Sequence, residues 1–276
     1  MIVMVNGLPG NMAKTVITAA VQRGIEVLPY SLTGADVRED TITHEGIHFS
    51  LLHPDTRDTA MEEILKDTPE FISVDYTHPT AVNDNATFYI RHSRPFVMGT
   101  TGGDREKLHK DVSAAGLSAV IAPNMAKQIV ALQYMLQTMA KTFPDLYKDY
   151  TLSVVESHQK TKADTSGTAK AIVDSFNKMG IHPITPEAIE KIREDAPAQE
   201  RLGVPAEYLS GHAFHTYRVV SPDDTVAFSF SHNVCGRSIY GEGTMDAAVF
   251  LQKQIEAGTA ERVFSMIDVL QSGTMQ

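Results

Sequence analysis

Two side chains that can exchange protons precede a turn that can hold an anion, within the stretch VVESHQKTKADTSGTAKAI at 154–172. His158 can donate or accept a proton near neutral pH, and Lys162 carries an ammonium four residues later. The turn consists of Ser166, Gly167 and Thr168. A helix that starts at this turn would point free backbone N–H groups at a ligand, which favours an anion. The spacing therefore predicts a site for a carboxylate beside two proton carriers.

Each of these residues also has an ordinary structural interpretation. A single histidine is often hydrogen-bonded inside a core, and a single lysine is often solvated on a surface. The helix is indicated by Thr165 or Ser166 as its N-cap and by Gly180 at its end. Its apolar residues recur at helical spacing and are Ala169, Ile172, Val173 and Phe176. The first residues of the chain have the pattern of a cofactor-binding segment, and this favours the functional interpretation of His158 and Lys162.

That segment, MIVMVNGLPGNMAKTVITAA, is typical of a nucleotide-binding fold because glycines separate an apolar strand from a helix. Gly7 permits a tight turn, Gly10 lets the backbone approach a pyrophosphate, and the helix start favours its negative charge. The alternative is that these glycines only turn the chain. We expect the following residues to bind a dinucleotide cofactor: Gly7, Leu8, Pro9, Gly10, Asn11 and Met12.

The end of the second strand, LPYSLTG at 28–34, contains no acidic residue, and the first one after it is Asp36. A site that prefers NAD usually has an acid here for the ribose 2′-hydroxyl, whereas Ser31 and Thr33 suit a 2′-phosphate. The alternative is that Asp36 or Arg38 folds back into the site. We predict that NADPH is the preferred cofactor and that NADH is possible.

Two further loops follow apolar strands and are rich in small or polar residues. GTTGG at 99–103 would let the backbone lie against the nicotinamide end of the cofactor, whereas a plain strand-to-helix turn would need one glycine. APNM at 122–125 follows the next strand and is placed to close over the cofactor. The predicted contacts are Gly99, Thr100, Thr101, Ala122, Pro123, Asn124 and Met125.

The elements that carry these loops divide the chain into two patterns. Over the first 125 residues short apolar runs alternate with helical stretches, which predicts an α/β, Rossmann-like domain with a parallel sheet. Longer alternating stretches such as TVAFSFSH predict an α+β domain with a mixed or antiparallel sheet. We therefore predict a dinucleotide-binding domain at 1–125 together with 243–276, and a substrate-binding and oligomerisation domain at 126–242.

The composition excludes several classes of partner. The chain has 276 residues and a formal net charge of −10, which repels nucleic acid and anionic membrane surfaces. Its single cysteine, Cys235, cannot form an internal disulfide. No apolar run approaches a membrane span of roughly 20 residues, and the apolar run near the start is too short for a secretory signal. We expect a cytoplasmic protein that binds neither nucleic acid nor membrane.

Taken together, the motifs resemble those of dihydrodipicolinate reductase, a family of lysine biosynthesis that is also called 4-hydroxy-tetrahydrodipicolinate reductase. They span positions 7 to 168 in the family's order, and the block around His158 and Lys162 is the specific one. The motifs are Gly7-x-x-Gly10-x-Met12, Gly99-Thr-Thr-Gly102, Ala122-x-Asn124, Glu156-x-His158-x-x-x-Lys162-x-Asp164 and Ser166-Gly167-Thr168.

The resemblance implies an NAD(P)H-dependent reduction of a small cyclic imine-type dicarboxylate to tetrahydrodipicolinate, in a homotetramer built through the sheet of the second domain. It implies that His158 is a proton donor or acceptor, that Lys162 is a proton donor, and that Gly167 and Thr168 bind a substrate carboxylate. No metal is implied. Chemically, hydride addition to a conjugated imine leaves enamine character, which an ammonium can protonate.

Two features resemble the plant-type branch of the family rather than many bacterial members. Gln159 stands where those members have a second histidine, and the segment between Asp164 and Ser166 is one residue shorter. The amide of Gln159 can still hydrogen-bond a carboxylate, although it carries no charge. We expect no plastid transit peptide, in contrast to what the plant branch would suggest.

Three other classes of protein or site fit the sequence less well. A short-chain dehydrogenase needs a tyrosine with a lysine four residues later, and none of the nine tyrosines has one. An NADP-binding sensor without turnover would keep the glycine loop but have no use for His158 and Lys162. A metal site built from His212 and His215 is disfavoured because a spacing of three on a strand points side chains to opposite faces. We interpret those two histidines as structural.

Overall fold

The computed structural model describes residues 1–260 and 262–273 of the chain. Two compact units are present. Unit 1 comprises Met1–Lys127 and Ser238–Gln276, and unit 2 comprises Gln128–Arg237. Among the described residues, no helix combines the length and the apolar character needed to cross a membrane.

The elements follow one another along the chain in three stretches. The first stretch contains β1 (Ile2–Asn6), α1 (Asn11–Gln22), β2 (Glu26–Val27), β3 (Tyr30–Leu32), β4 (Thr41–His44), β5 (Ile47–Leu52), α2 (Arg57–Asp67), β6 (Ile72–Asp75), α3 (Val82–Arg91), β7 (Phe96–Met98), α4 (Arg105–Ala114) and β8 (Ala119–Ile121). The second contains α5 (Lys127–Thr142), β9 (Thr151–His158), α6 (Gly167–Lys178), β10 (Glu190–Ile192), α7 (Asp195–Leu202), β11 (His212–Val220) and β12 (Ala227–Cys235). The third contains α8 (Ser238–Glu256), β13 (Val263–Phe264) and α9 (Met266–Gln271).

The main sheet of unit 1 is parallel throughout and has the strand order β13-β8-β7-β6-β1-β2. Its central strands, β1, β6, β7 and β8, are buried on both faces, which is why they read as continuous apolar runs; Val3, Met4 and Val5 have no exposed surface. The carboxyl ends of parallel strands lie at one edge, where the predicted cofactor loops emerge. The predicted Rossmann-like fold class is confirmed.

The region of the predicted second strand is divided between two sheets. β2 pairs with β1, whereas β3 pairs with β5 in a separate sheet of order β3-β5-β4. Pro29 lies between the two strands and has no N–H to continue the ladder. β4 and β5 form a hairpin whose turn residues, Glu45 and Gly46, have φ values of 49° and 75°. Positive φ at both positions is the requirement of a tight two-residue hairpin.

α8 is fastened to the rest of unit 1 by charge and by close packing. Asp246 is buried and accepts hydrogen bonds from Arg23, at 2.7 Å, and from Lys127. Gly243 lies so close to Met125 that a Cβ atom would fall 1.7 Å from the Met125 carbonyl oxygen. A side chain at that position would therefore separate α8 from the segment at 122–125.

Unit 2 contains a mixed sheet of order β10-β9-β11-β12. β11 is antiparallel to β9 and β12, and β10 is parallel to β9. α6 buries the predicted apolar residues of its sequence against one face of this sheet, where Val154 and Tyr217 are buried with them. The second part of the predicted fold class is confirmed as well.

Candidate active site

The glycine loop of unit 1 connects β1 to α1 in a conformation that only glycine suits. Gly7 has a φ of 113°, and a Cβ atom there would lie 2.2 Å from the backbone oxygen of Tyr76. A Cβ atom on Gly10 would lie 2.7 Å from the Gly7 oxygen, to which the Gly10 N–H donates at 2.8 Å. These glycines therefore do more than turn the chain, because they also keep the loop close to the neighbouring strand end.

The start of α1 lies open beside a cavity of about 750 Å³. Gly10 is the N-cap residue, and no side chain caps the helix, so its first N–H groups remain available to an anion. The cavity lining includes Gly7–Asn11, the segment at 33–37, Arg57 and Thr77. An uncapped helix start and a cavity of this size fit the pyrophosphate and ribose of a dinucleotide.

Ser31 lies behind the glycine loop. Its side chain has no exposed surface, and its hydroxyl accepts a hydrogen bond from the Leu8 N–H at 3.2 Å. Thr33 is also buried and donates to the Leu8 carbonyl oxygen at 2.8 Å. Both hydroxyls are thus engaged in holding Leu8. The charged residues that line the cavity are exposed Asp36, exposed Asp84 and partly buried Arg57.

The segment at 99–103 is fastened to the neighbouring strand end. The Tyr76 ring fills the space beside Gly99, where a Cβ atom would lie 2.3 Å from a ring carbon. Thr100 is buried and donates to the Asp75 carboxylate at 2.6 Å. Thr101 is exposed. Close packing therefore accounts for Gly99, and Thr101 is the predicted residue of this loop whose side chain is open to a ligand.

Asp75, which sequence reasoning did not single out, is the hub of this edge of the sheet. Its carboxylate is fully buried and accepts hydrogen bonds from the Thr77 N–H and from four side chains. The side-chain donors are Thr77, Asn85, Tyr89 and Thr100, at 2.6–3.0 Å. A buried carboxylate with this many donors is satisfied without a cation, and it holds the loops after β6 and β7 together.

The two middle residues of the segment at 122–125 are accessible to solvent, whereas its two end residues are buried. Ala122 and Met125 are buried, whereas Pro123 is exposed and Asn124 is half-buried. The Asn124 side-chain oxygen accepts from the Ala126 N–H at 2.9 Å, just before α5 begins. Pro123 and Asn124 are therefore the members of this predicted group that a ligand can reach by their side chains.

In unit 2 the predicted site residues lie between the end of β9 and the start of α6. His158 is the last residue of β9 and is buried, and Lys162 follows in the connecting turn, with its ammonium 2.8 Å from the Asp164 carboxylate. α6 begins at Gly167 with Ser166 as its N-cap and has no side-chain cap. Gly167 is exposed and has open space around its Cα.

Buried Glu156 and partly buried Arg193 form a clamp that determines the path of this connection. The Glu156 carboxylate has no exposed surface, pairs with Arg193 at 2.5 Å, and accepts from the Ser166 N–H at 3.1 Å. Arg193 also donates to the backbone oxygens of Lys162, at 2.6 Å, and Asp164, at 3.2 Å. The Ser166 N–H is thus already taken, so an anion at this helix start would be met by Gly167 and Thr168.

His158 has a partner that the sequence analysis interpreted as structural. Its Nε2 lies 3.0 Å from Nε2 of His215, and His215 Nδ1 lies 2.9 Å from the Tyr217 hydroxyl. Burial, together with the charges of Arg193 and Lys162, lowers the pKa of His158 to about 4. His158 is therefore neutral at pH 7. His212 faces Ser157 on the other side of β11, so the expected divergence of the two histidines is present.

Glu156, His158 and His215 offer ligand atoms within 4.8 Å of one another, which is a spacing that a metal ion could use. Their surroundings oppose a cation, because Arg193 already neutralises the carboxylate and Lys162 adds a second positive charge nearby. We assign no metal to these three residues.

A Rossmann-like unit with an open glycine loop, joined to a unit that presents a histidine and a lysine before an uncapped helix, defines the class of nicotinamide-dependent oxidoreductases. Residues 1–125 match the N-terminal part of the family described as dihydrodipicolinate reductase, and residues 128–270 match its C-terminal part. The chain belongs to the dihydrodipicolinate reductase family.

Named relatives and a solved structure agree with this assignment. The chain is 46% identical to 4-hydroxy-tetrahydrodipicolinate reductase 1, chloroplastic, of Arabidopsis thaliana, over 99% of this chain and 79% of the relative. It is 45% identical to a probable enzyme of the same name from Oryza sativa subsp. japonica, over 99% of this chain and 80% of the relative. A dipicolinate-bound dihydrodipicolinate reductase from Paenisporosarcina sp. TG-14 has the same fold, with a TM-score of 0.66, 16% identity, and coverage of 96% and 97% of the two chains.

These comparisons confirm the predicted family, the likeness to its plant-type branch, and the predicted enzyme class, a nicotinamide-dependent reductase. None of the relatives named above is a sensor or a regulator, so the alternative of cofactor binding without turnover finds no support in them.

Proposed function

We propose that this chain reduces 4-hydroxy-tetrahydrodipicolinate to tetrahydrodipicolinate with NADPH or NADH, in the diaminopimelate route of lysine biosynthesis. The observation that carries the proposal is the placement of Lys162 and His158 before the uncapped start of α6. The names of the plant relatives support the reaction, and the dipicolinate bound to the neighbouring structure supports a small dicarboxylate as the substrate.

The start of α6 would hold one substrate carboxylate. The N–H groups of Gly167 and Thr168 have no acceptor within the helix, and the positive end of the helix dipole adds to their attraction. The Gln159 amide and the Lys162 ammonium supply further donors from the connecting turn. The ion pair of Lys162 with Asp164 is weak, because 72% of the Asp164 side chain is exposed, so a substrate carboxylate can replace it.

Lys162 would donate the proton that completes the reduction. Hydride addition leaves enamine character on the ring, and the carbon that becomes basic needs an acid within reach. His158 is uncharged at pH 7 because its pKa is lowered to about 4, whereas Lys162 can deliver its proton from an ammonium. In this proposal His158 forms a hydrogen bond with the substrate and thereby orients it.

The residues around the glycine loop would hold the cofactor, which supplies the hydride when bound. The pyrophosphate would be met by the loop at Gly7–Met12 and the start of α1, and the nicotinamide end by Thr101, Pro123 and Asn124. Preference for NADPH is proposed because β3 ends without an acid and Arg57 lies in the cavity. Asp36 is the group that would favour NADH instead.

A coupled assay tests the reaction and the cofactor preference together. The substrate is generated in place by its upstream aldolase, and loss of nicotinamide absorbance is followed with NADPH and with NADH. Oxidation that depends on the aldolase supports the proposal, and a higher kcat/KM with NADPH supports the preference. Cofactor binding without any oxidation would favour the sensor instead.

Two further properties of the chain concern its assembly and its location. We propose a homotetramer built through unit 2, because the nine-residue strand β12 lies at the edge of its sheet and long edge strands favour pairing with another chain. Light scattering would show a fourfold mass, and a monomeric mass would contradict it. The cytoplasmic location stays a prediction; the plant relatives are themselves named chloroplastic.

A further inference from the structure

Three strands of unit 2 bring a chain of polar rings onto one face of the sheet. The rings belong to His158 of β9, His215 and Tyr217 of β11, and His232 of β12. Nε2 of His158 and Nε2 of His215 are 3.0 Å apart, and Nδ1 of His215 is 2.9 Å from the Tyr217 hydroxyl. The His232 ring lies against the His215 ring, with 4.5 Å between their centres.

Burial determines how many protons the side chains of His158, His215 and Tyr217 carry. Burial is the main cause that lowers the pKa of His158 and, further, that of His215, so both rings are neutral at pH 7. A hydrogen bond between two neutral imidazoles has one nitrogen that carries a proton and one that does not. Burial also raises the pKa of Tyr217, which therefore keeps its hydroxyl hydrogen.

Two arrangements of these protons are possible, and they differ in how Tyr217 is satisfied. If His158 donated through Nε2, then His215 would carry its proton on Nδ1 and donate it to Tyr217. The hydroxyl hydrogen of Tyr217, a side chain only 1% exposed, would then have no acceptor among the contacts of the described residues. If His215 donates through Nε2 instead, its bare Nδ1 accepts that hydrogen, and both nitrogens of His215 and the Tyr217 hydroxyl are paired.

Among the described residues, no other hydrogen bond competes for the nitrogens of His215. Both nitrogens of His232 are buried without a hydrogen-bond partner among the described residues, so this ring packs on His215 without bonding to it. The charged groups nearest to the pair are Glu156, Arg193 and Lys162, and the first two are joined to each other. The His158 ring also interacts with the backbone of His212. The hydrogen-bonding pattern around His158 is therefore determined by this backbone group together with His215 and Tyr217.

We propose that His215 is a positioning residue that donates from Nε2 to Nε2 of His158 and so fixes the His158 ring as the tautomer with its proton on Nδ1. Tyr217 sets the direction of this bond by donating to His215. The catalytic consequence rests on the proposed function, because it matters only if His158 contacts the substrate. With its Nε2 occupied, His158 cannot serve as a base through that nitrogen, which leaves the proton transfer to Lys162.

The tautomer can be observed directly in the resting protein. Long-range ¹H–¹⁵N spectra of ¹⁵N-histidine-labelled protein distinguish a proton on Nδ1 from one on Nε2. We expect the Nδ1–H form for His158 and the Nε2–H form for His215 at pH 7. In Tyr217→Phe, which keeps the ring and removes the hydroxyl, we expect both histidines to become mixtures of tautomers. The opposite tautomers in the unmodified protein would overturn the proposal.

Activity measurements test the positioning role. In His215→Phe we expect kcat to fall roughly 10-fold or more while KM for NADPH is unchanged, since one oriented hydrogen bond to a reacting group is lost. His215→Gln should recover part of the loss, because an amide can donate to His158 and accept from Tyr217. His212→Phe is the matched control, a buried histidine of the same strand that faces the other way.

The outcomes separate this inference from the proposed reaction. If no variant and no unmodified protein turns over the substrate, the tautomers still confirm or overturn the hydrogen-bond chain. If the protein is active and His215→Phe folds with unchanged kcat and an unchanged pH profile, His215 has no positioning role. Should His215→Phe fail to fold, Tyr217→Phe and His215→Gln provide the same comparison.

Discussion

The glycine loop of unit 1 and the connection from β9 to α6 in unit 2 both end at an uncapped helix, yet they are built in opposite ways. The glycine loop works by the absence of side chains, since a Cβ atom on Gly7 would lie 2.2 Å from a backbone oxygen. The connection in unit 2 works by buried side chains, since Glu156 and Arg193 hold its backbone. A site formed by backbone atoms is disrupted when a side chain is added, whereas a site held by side chains is disrupted when one of their hydrogen bonds is lost.

The sharpest test of this contrast is the addition of atoms at Gly7. We expect Gly7→Val to abolish cofactor binding, with a loss of at least about 100-fold in affinity measured by fluorescence titration, because the loop must move away from Tyr76. Gly24→Ala is the matched control, with a φ of 65° and open space around it. Its cost should be about 1 kcal/mol of stability. Retained binding in a folded Gly7→Val protein would contradict a site formed by backbone atoms.

The corresponding test in unit 2 removes a side chain. We expect Lys162→Ala to lower turnover roughly 100-fold or more, because the proton donor is lost, and to leave NADPH affinity nearly unchanged. The coupled assay and a separate cofactor titration measure the two quantities. Lys160→Ala is the control, since Lys160 is exposed and its ion pair among the described residues is with exposed Glu194, at 3.3 Å. Equal losses in both variants would remove Lys162 from the mechanism.

A milder test keeps the charge of the clamp but changes its shape. Arg193→Lys retains a cation opposite Glu156 but cannot reach the backbone oxygens of Lys162 and Asp164 together. We expect kcat/KM for the substrate to fall roughly 10-fold, with little change for the cofactor. Arg201→Lys, in a half-exposed pair with Glu190, is the control and should change neither value. Comparable effects at both positions would mean that the clamp does not set the site.

The smallest expected effect is a dependence of stability on pH. Burial lowers the pKa of His232 to about 4 in the folded protein, while the unfolded chain has the ordinary value near 6.5. The unfolded state therefore binds more protons between these values, and stability is lost as pH falls through this window. His232→Phe should reduce the loss between pH 7 and pH 5.5 by about 1 kcal/mol, measured by urea unfolding. An unchanged pH dependence would show that His232 titrates normally.

The sequence predicted well what depends on local pattern. Alternating apolar runs and helical stretches indicated the Rossmann-like fold, and Ile172 and Phe176 marked the buried face of α6. The glycines at 7 and 10 indicated the loop, because Gly7 has a positive φ and a Cβ atom at either position would lie too close to a backbone oxygen. In each of these cases the physical requirement is met by residues close together in the chain, so the pattern can be read without knowing the tertiary structure.

What could not be predicted depends on partners distant in sequence. His215 meets His158 across 57 positions, and Arg193 reaches Glu156 across 37, so neither pairing has a local signature. Ser31 was expected to contact the cofactor, but the small sheet around β3 buries it behind Leu8. The one available signal was Glu156 itself, since an acid within an apolar strand requires a buried partner.

Unit 1 is built from the two ends of the chain, and this arrangement determines which unit can finish folding first during synthesis. Asp246, which accepts from Arg23, and Thr244, whose hydroxyl lies 2.6 Å from that of Tyr76, both belong to α8. The ribosome therefore synthesises the whole of 128–237, a continuous segment with its own core, before α8 is available to pack on α1. Unit 2 can therefore fold before α8 of unit 1 has been synthesised.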